Sequence, residues 1–184
     1  MERSALLVID AQQEYFFPLG KLPLPDGPAA VQRIAQLLRW ARARGVPVFH
    51  IVHESRKPGA AIFAPGSPGL AIHPSVTPAP GEPVIQKHLP GSFTGTPLEQ
   101  ELRQRGVEHV IVSGFMTQMC CDTTTRQAAH LGFTATILSD ATAAMSVTGP
   151  DGVTIPHDVV HRTHLGSLSG FLAEVKRSAE ITAG

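Results

Sequence analysis

The chain has 184 residues, of which 42% are hydrophobic and 16% charged, and its 15 basic and 15 acidic residues leave no formal net charge. That length predicts a single globular domain over 1–184 and the composition excludes a disordered chain. No basic stripe points to nucleic acid, and no apolar run is long enough to cross a bilayer. Met1 to Asp10 lacks the basic start and cleavage site of a signal peptide, so a cytoplasmic protein is expected. The near-neutral charge is compatible with a homo-oligomer.

Four short apolar runs read as strands buried on both faces: Ala5 to Ile9, Val46 to Val52, Val107 to Val112 and Phe133 to Leu138. Pro83 to Gln86 is a weaker fifth. Helical patterns alternate with them. Val31, Ile34, Leu37, Leu38 and Ala41 make one stripe, closed by Gly45. Thr96-Pro97-Leu98-Glu99 reads as a capping box for a helix ending near Gly106. Cys120 to Leu131 and Asp158 to Ser169 are predicted helices, and Leu172 to Lys176 a last strand. Alternation of this kind predicts a three-layer α/β/α fold with a mostly parallel sheet of five or six strands.

Two segments read as loops. Glu54 to Glu82 is rich in proline and glycine, and a loop of that length is expected to serve as a lid, a binding loop or a subunit contact. Met145 to Pro156 turns at Gly149-Pro150-Asp151-Gly152.

In parallel sheets, ligands bind beyond the carboxyl ends of the strands. Asp10 ends the first predicted strand, Lys87 the third and Asp140 the fifth, while the turn after Gly114 leads to Cys120. The two cysteines, Cys120 and Cys121, are adjacent, which excludes a disulfide scaffold and a four-cysteine zinc site. A thiol at a helix start beside a lysine is expected to have a lowered pKa. A carboxylate nearby can take its proton and pass it to a leaving amine. Backbone N–H groups of the preceding turn can receive an oxyanion.

The stretch VSGFMTQMCCDTTTRQA carries Gly114, Thr117, Cys120, Thr124, Arg126 and Ala128 at the spacing of the isochorismatase-like cysteine hydrolases, which it resembles. LLVIDAQQEYF, with Asp10 and Gln12, and KHLPGSFTGTPLEQEL, beginning at Lys87, are similar to two further blocks of that family. The resemblance covers nearly the whole chain. It implies a Cys120-Asp10-Lys87 triad, a cis peptide between Phe115 and Met116, and an oxyanion hole made by the N–H groups of Met116 and Cys120. It also implies a hydrolase without cofactor, acting on a C–N bond of a small amide, ureide or carbamoyl substrate. A vinyl-ether hydrolase of the isochorismatase type and a catalytically idle scaffold are the alternatives. Retention of Cys120 favours amide chemistry.

Cys121 reads as apolar filler. Gln12, Phe16, His53, Phe93 and Phe115 are candidates for substrate contact. Tyr15 and Phe17 are further aromatics near the site. His50 and His53 fall on opposite faces of a predicted strand. The metal-dependent branch of the family has an Asp-x-His pair after this strand. Here the stretch is Glu54-Ser55-Arg56-Lys57, so no required metal is expected.

Overall fold

The structure is a computed structural model describing residues 3–183. Its elements in chain order are β1 (Ser4–Ile9), α1 (Gly27–Ala43), β2 (Val48–His53), β3 (Val84–Lys87), α2 (Leu98–Gln104), β4 (His109–Phe115), α3 (Asp122–His130), β5 (Thr134–Ala143), β6 (Val147–Thr148), β7 (Thr154–Ile155), α4 (His157–Leu168), β8 (Glu174–Lys176) and α5 (Ser178–Thr182). Six strands pair in the order β3-β2-β1-β4-β5-β8, every pairing parallel.

The alternation of side chains along each strand explains the layers. Leu6, Val8, Val48, Ile111 and Leu138 point to one face, where they pack with Val31, Ile34, Leu37 and Leu38 of α1 and Ile181 of α5. Ala5, Leu7, Ile9, Phe49, Val112 and Ile137 point to the other, against Leu98 and Leu102 of α2, Ala128 of α3 and Leu165 of α4. The sheet is thus covered on both sides, which is why its strands read as continuous apolar runs. No helix among the described residues is long and apolar enough to cross a membrane.

The structure departs from the sequence expectations in several places. β5 continues to Ala143, past its expected end at Leu138. Between Val112 and Gly114 of β4 its register slips, with Ile137 and Thr142 as the facing residues, so β5 bulges there. Asp140 lies in that bulge instead of ending the strand. Its carboxylate accepts hydrogen bonds from the Ser178 N–H (2.7 Å) and hydroxyl (2.8 Å), which anchor α5, a helix not anticipated from sequence. The capping box does not form. The Thr96 hydroxyl donates to the Ser92 carbonyl, while Glu99 pairs with Arg103. Residues 145–156 hold the antiparallel pair β6 and β7.

The 54–82 loop is fastened along its length. The Gln13 N–H donates to the Ala71 carbonyl and the His73 N–H to that of Ala11, each at 2.8 Å. Lys21 Nζ donates to the Ala61 carbonyl, and the buried Glu14 carboxylate accepts from the Phe63 N–H. At the far end, Glu82 pairs with Arg42 of α1 (2.8 Å) and with the buried His50 (2.9 Å).

Candidate active site

From the centre of the sheet, β1, β2 and β3 run out one way and β4, β5 and β8 the other, so the order reverses between β1 and β4. Crevices open at such reversals. Here Gly114 of β4 faces Ile9 of β1. A Cβ on Gly114 would sit 1.9 Å from the Ile9 carbonyl oxygen, and its φ is +118°. Only glycine lets the two strand ends come this close. Asp10 follows with φ +49°, a left-handed conformation that is uncommon outside glycine and that aspartate and asparagine adopt more readily than other residues.

Three side chains converge past these strand ends. Lys87 is paired in register with His53 of β2 and reaches from the edge strand toward the centre. Its Nζ lies 2.7 Å from Asp10 Oδ2 and 3.3 Å from Cys120 Sγ. Asp10 is 0% exposed, Lys87 1% and Cys120 6%. The Asp10 carboxylate is held by the Lys87 ammonium and also faces the Cys120 thiol. A carboxylate placed against a thiol in this way can take its proton.

Burial sets the electrostatics. It raises the pKa of Asp10, with Lys87 opposing, and so makes a more basic carboxylate. Burial disfavours the Lys87 ammonium, but the charges of Asp10 and Cys120 and the hydrogen bonds to both together outweigh it and raise the lysine pKa. Burial pushes the Cys120 thiol up, the Asp10 charge adds to this, and Lys87 offsets only part. The expectation of a lowered thiol pKa is therefore corrected. Desolvation beside a carboxylate outweighs the lysine and favours the neutral thiol of Cys120.

Cys120 is also not the first residue of its helix. A π-helical turn, Thr117–Cys121, leads into α3. The N–H groups of Met119 and Cys121 both donate to the Met116 carbonyl at 3.1 Å. The Phe115–Met116 peptide preceding the turn is cis. Cys121 is fully buried in the core beneath α3. The turn after β3 is tied to this helix through Ser92, whose N–H donates to Thr124 Oγ1 (3.0 Å).

The proposed substrate contacts separate on inspection. Gln12 is corrected to a strut. Its Nε2 donates to the carbonyls of His53 (3.0 Å) and Leu70 (2.9 Å), and its Oε1 accepts from the His53 N–H (2.8 Å), leaving no amide hydrogen for a ligand. Phe93 is also displaced from the role. It stacks on Phe133 at 5.9 Å and borders a cavity of about 410 Å³ with Arg126, Gln127 and His130, a cavity that none of the three converging residues lines. Phe16 and Phe115 are buried and meet edge to face at 5.6 Å, joined by Tyr15. Phe17, by contrast, is exposed. His53 stays at the site, its Nδ1 3.4 Å from Lys87 Nζ and its ring edge-on to Phe63. Burial, then the charge of Lys87, lowers its pKa to about 4. Tyr15 is the aromatic most closely coupled to the site: burial raises its phenol, and the charges of Cys120 and Asp10 add to that.

Sequence reading missed His161 altogether. It bridges the Thr117 hydroxyl (2.8 Å) and the Ser139 carbonyl (2.9 Å), and no spacing signal distinguishes it from other helical histidines. Among the described residues, no group of three histidine, cysteine or acidic side chains stands close enough to hold a metal ion.

Comparison with known proteins bears on this architecture. Residues 4–175 match the model of the Isochorismatase domain. The chain is 40% identical over 173 residues to the uncharacterized isochorismatase family protein YddQ of Bacillus subtilis, covering 94% of this chain and 95% of that one. It is 34% identical over 180 residues to a streptothricin hydrolase of Streptomyces noursei (97% and 70% covered). Against a ureidoacrylate amidohydrolase, RutB, of Methylobacterium radiotolerans it is 29% identical over 203 residues (92% and 74%). A solved structure from Oleispira antarctica, assigned as an isochorismatase hydrolase, superposes with a TM-score of 0.94 at 37% identity, covering 100% of this chain and 98% of that one. A cysteine hydrolase from Pseudomonas syringae pv. phaseolicola superposes at 0.92 with 29% identity (98% and 91%). The chain belongs to the isochorismatase family of hydrolases.

Proposed function

We propose that this hydrolase cleaves a C–N bond of a small amide, ureide or carbamoyl compound through a thioester on Cys120. The observation that carries the reading is the contact of one lysine with both a carboxylate and a thiol in a buried cluster. The name of one relative, a ureidoacrylate amidohydrolase, supports the same class of bond.

The resting charges dictate the order of events. Because the thiol is neutral, its proton passes to Asp10 as Sγ attacks the carbonyl carbon. The carbonyl oxygen becomes an oxyanion held by the N–H groups of Met116 and Cys120. Asp10 then gives its proton to the leaving nitrogen, the C–N bond breaks and the amine departs. Water attacks the thioester, Asp10 taking one of its protons. Collapse releases the acid product, and the proton returns from Asp10 to sulfur. Lys87 remains charged throughout and stabilises whichever of Asp10 and Cys120 is anionic. No cofactor enters the scheme.

An ammonia-release screen over small amides and ureides tests the reading, with Cys120→Ala as control. Turnover and covalent labelling that both disappear in the variant are expected. Full activity in Cys120→Ala would overturn the proposal. We further propose a cytoplasmic location and, separately, a homo-oligomer, to which the exposed Phe17 and Leu19 offer neighbouring apolar contacts. A monomer by light scattering at micromolar concentration would refute the homo-oligomer.

A further inference from the structure

The nucleophile turn is held from behind by α4, and one of the contacts reaches the residue that starts the turn. The bulge in β5 opens beside Gly114, the residue that brings β1 and β4 together. Within the bulge the Ser139 carbonyl accepts from His161 Nε2 at 2.9 Å. A carbonyl can only accept, so Nε2 carries the ring proton. In the neutral ring Nδ1 then has only a lone pair, and the Thr117 hydroxyl, 2.8 Å away, must be its donor. Burial lowers the pKa of His161 and favours this neutral form. Thr117 is fully buried and is the first residue of the π-helical turn whose fourth is Cys120. The route from sheet to nucleophile therefore runs from the Ser139 carbonyl through the imidazole and the Thr117 hydroxyl to the turn.

Besides apolar packing through Leu165, two other polar contacts among the described residues join α4 to the nucleophile helix, His164 to Asp122 (3.2 Å) and Ser167 to Arg126 (2.9 Å). Both lie after Cys120, on α3. They hold the helix without setting where the turn begins. We propose that His161 is a positioning residue for Cys120, acting through Thr117 to hold the turn so that the thiol and the N–H groups of Met116 and Cys120 face one reacting carbonyl. The role requires both ring nitrogens, one as donor and one as acceptor. It rests on the reading of Cys120 as the nucleophile.

The test needs no substrate. Alkylation of Cys120 by iodoacetamide, followed by mass spectrometry across a pH series, is measured in wild type, His161→Leu, His161→Gln, Thr117→Val and the His161→Leu/Thr117→Val double variant, beside their melting temperatures. Displacement of a reacting atom by about 1 Å can slow a reaction by about a hundredfold. An at least fivefold slower alkylation is therefore expected in His161→Leu and in Thr117→Val, under conditions where each is folded. Glutamine, with one donor and one acceptor, should recover most of the rate. The double variant should be no slower than the slower single one, because the two side chains act through one bond. Wild-type rates and pH profile in the folded single variants, or multiplicative losses in the double variant, would overturn the inference. If His161→Leu does not fold, Thr117→Val and His161→Gln still decide it: an unaltered rate in Thr117→Val, or a rate in His161→Gln as low as in Thr117→Val, overturns it. Failure of the underlying reading looks different: wild-type Cys120 would then be as unreactive as Cys121.

Discussion

Lys87, on the edge strand β3, and Asp10, at the end of β1, meet at 2.7 Å although β2 lies between their strands. Neither side chain is exposed. Removing one charge from such a pair strands the other, at a cost of about 3–5 kcal/mol. Lys87→Met is expected to lose roughly that much stability by urea unfolding. Asp10→Asn/Lys87→Met should recover part of it while remaining inactive. A double variant less stable than Lys87→Met would refute the account.

Gly114→Ala tests the approach of the two central strands. The added Cβ meets the Ile9 carbonyl on a backbone with φ +118°. Overpacking costs about 1–3 kcal/mol and backbone strain a similar amount. A loss of roughly 3 kcal/mol or more is expected by chemical denaturation, with weaker labelling of Cys120, since Asp10 follows Ile9 directly. A melting temperature equal to wild type would show that the strand ends can separate at no cost.

Glu82 carries an acid-sensitive part of the stability. Burial opposes its ionisation, but Arg42, the Ala79 N–H and His50 outweigh burial and lower its pKa to about 2. Because the folded value is depressed, the stabilisation is complete above the ordinary carboxylate range and is lost as pH falls toward 2. Glu82→Gln should cost about 1–3 kcal/mol at pH 7, as the buried His50 donor loses its charged acceptor. The gap from wild type should narrow as unfolding is followed down toward pH 2. A gap independent of pH would rule out ionisation of Glu82 as its source.

His53 should titrate near pH 4 by NMR, well below an ordinary histidine, because of burial and then the charge of Lys87. In Lys87→Met the midpoint should rise yet stay below the ordinary value, since burial remains. An unmoved midpoint would mean that the lysine charge does not reach the ring.

The framework was legible in the sequence because apolar runs and helix stripes are local signals. Once a parallel sheet is inferred, Asp10, Lys87 and the turn before Cys120 fall at one edge, and the structure brings their side chains together. The direction of the thiol pKa was not legible, because it depends on how completely tertiary packing excludes water from Cys120. Gln12 was misread because its partners, His53 and Leu70, are 41 and 58 residues away. The β5 bulge and His161 escaped notice for the same reason. A carbonyl released from a ladder leaves no trace in composition, and its partner sits on a helix that reads as ordinary.

The segment from Glu54 to Glu82 is long but not loose. Gln13, His73, Lys21, Glu14 and Gln12 sew it to the end of β1 and the chain beyond, and Arg42 clasps its far end. A segment fastened at so many points behaves as masonry and not as a door. The side chain it lays beside His53, the edge-on ring of Phe63, is therefore set in place by the fold itself.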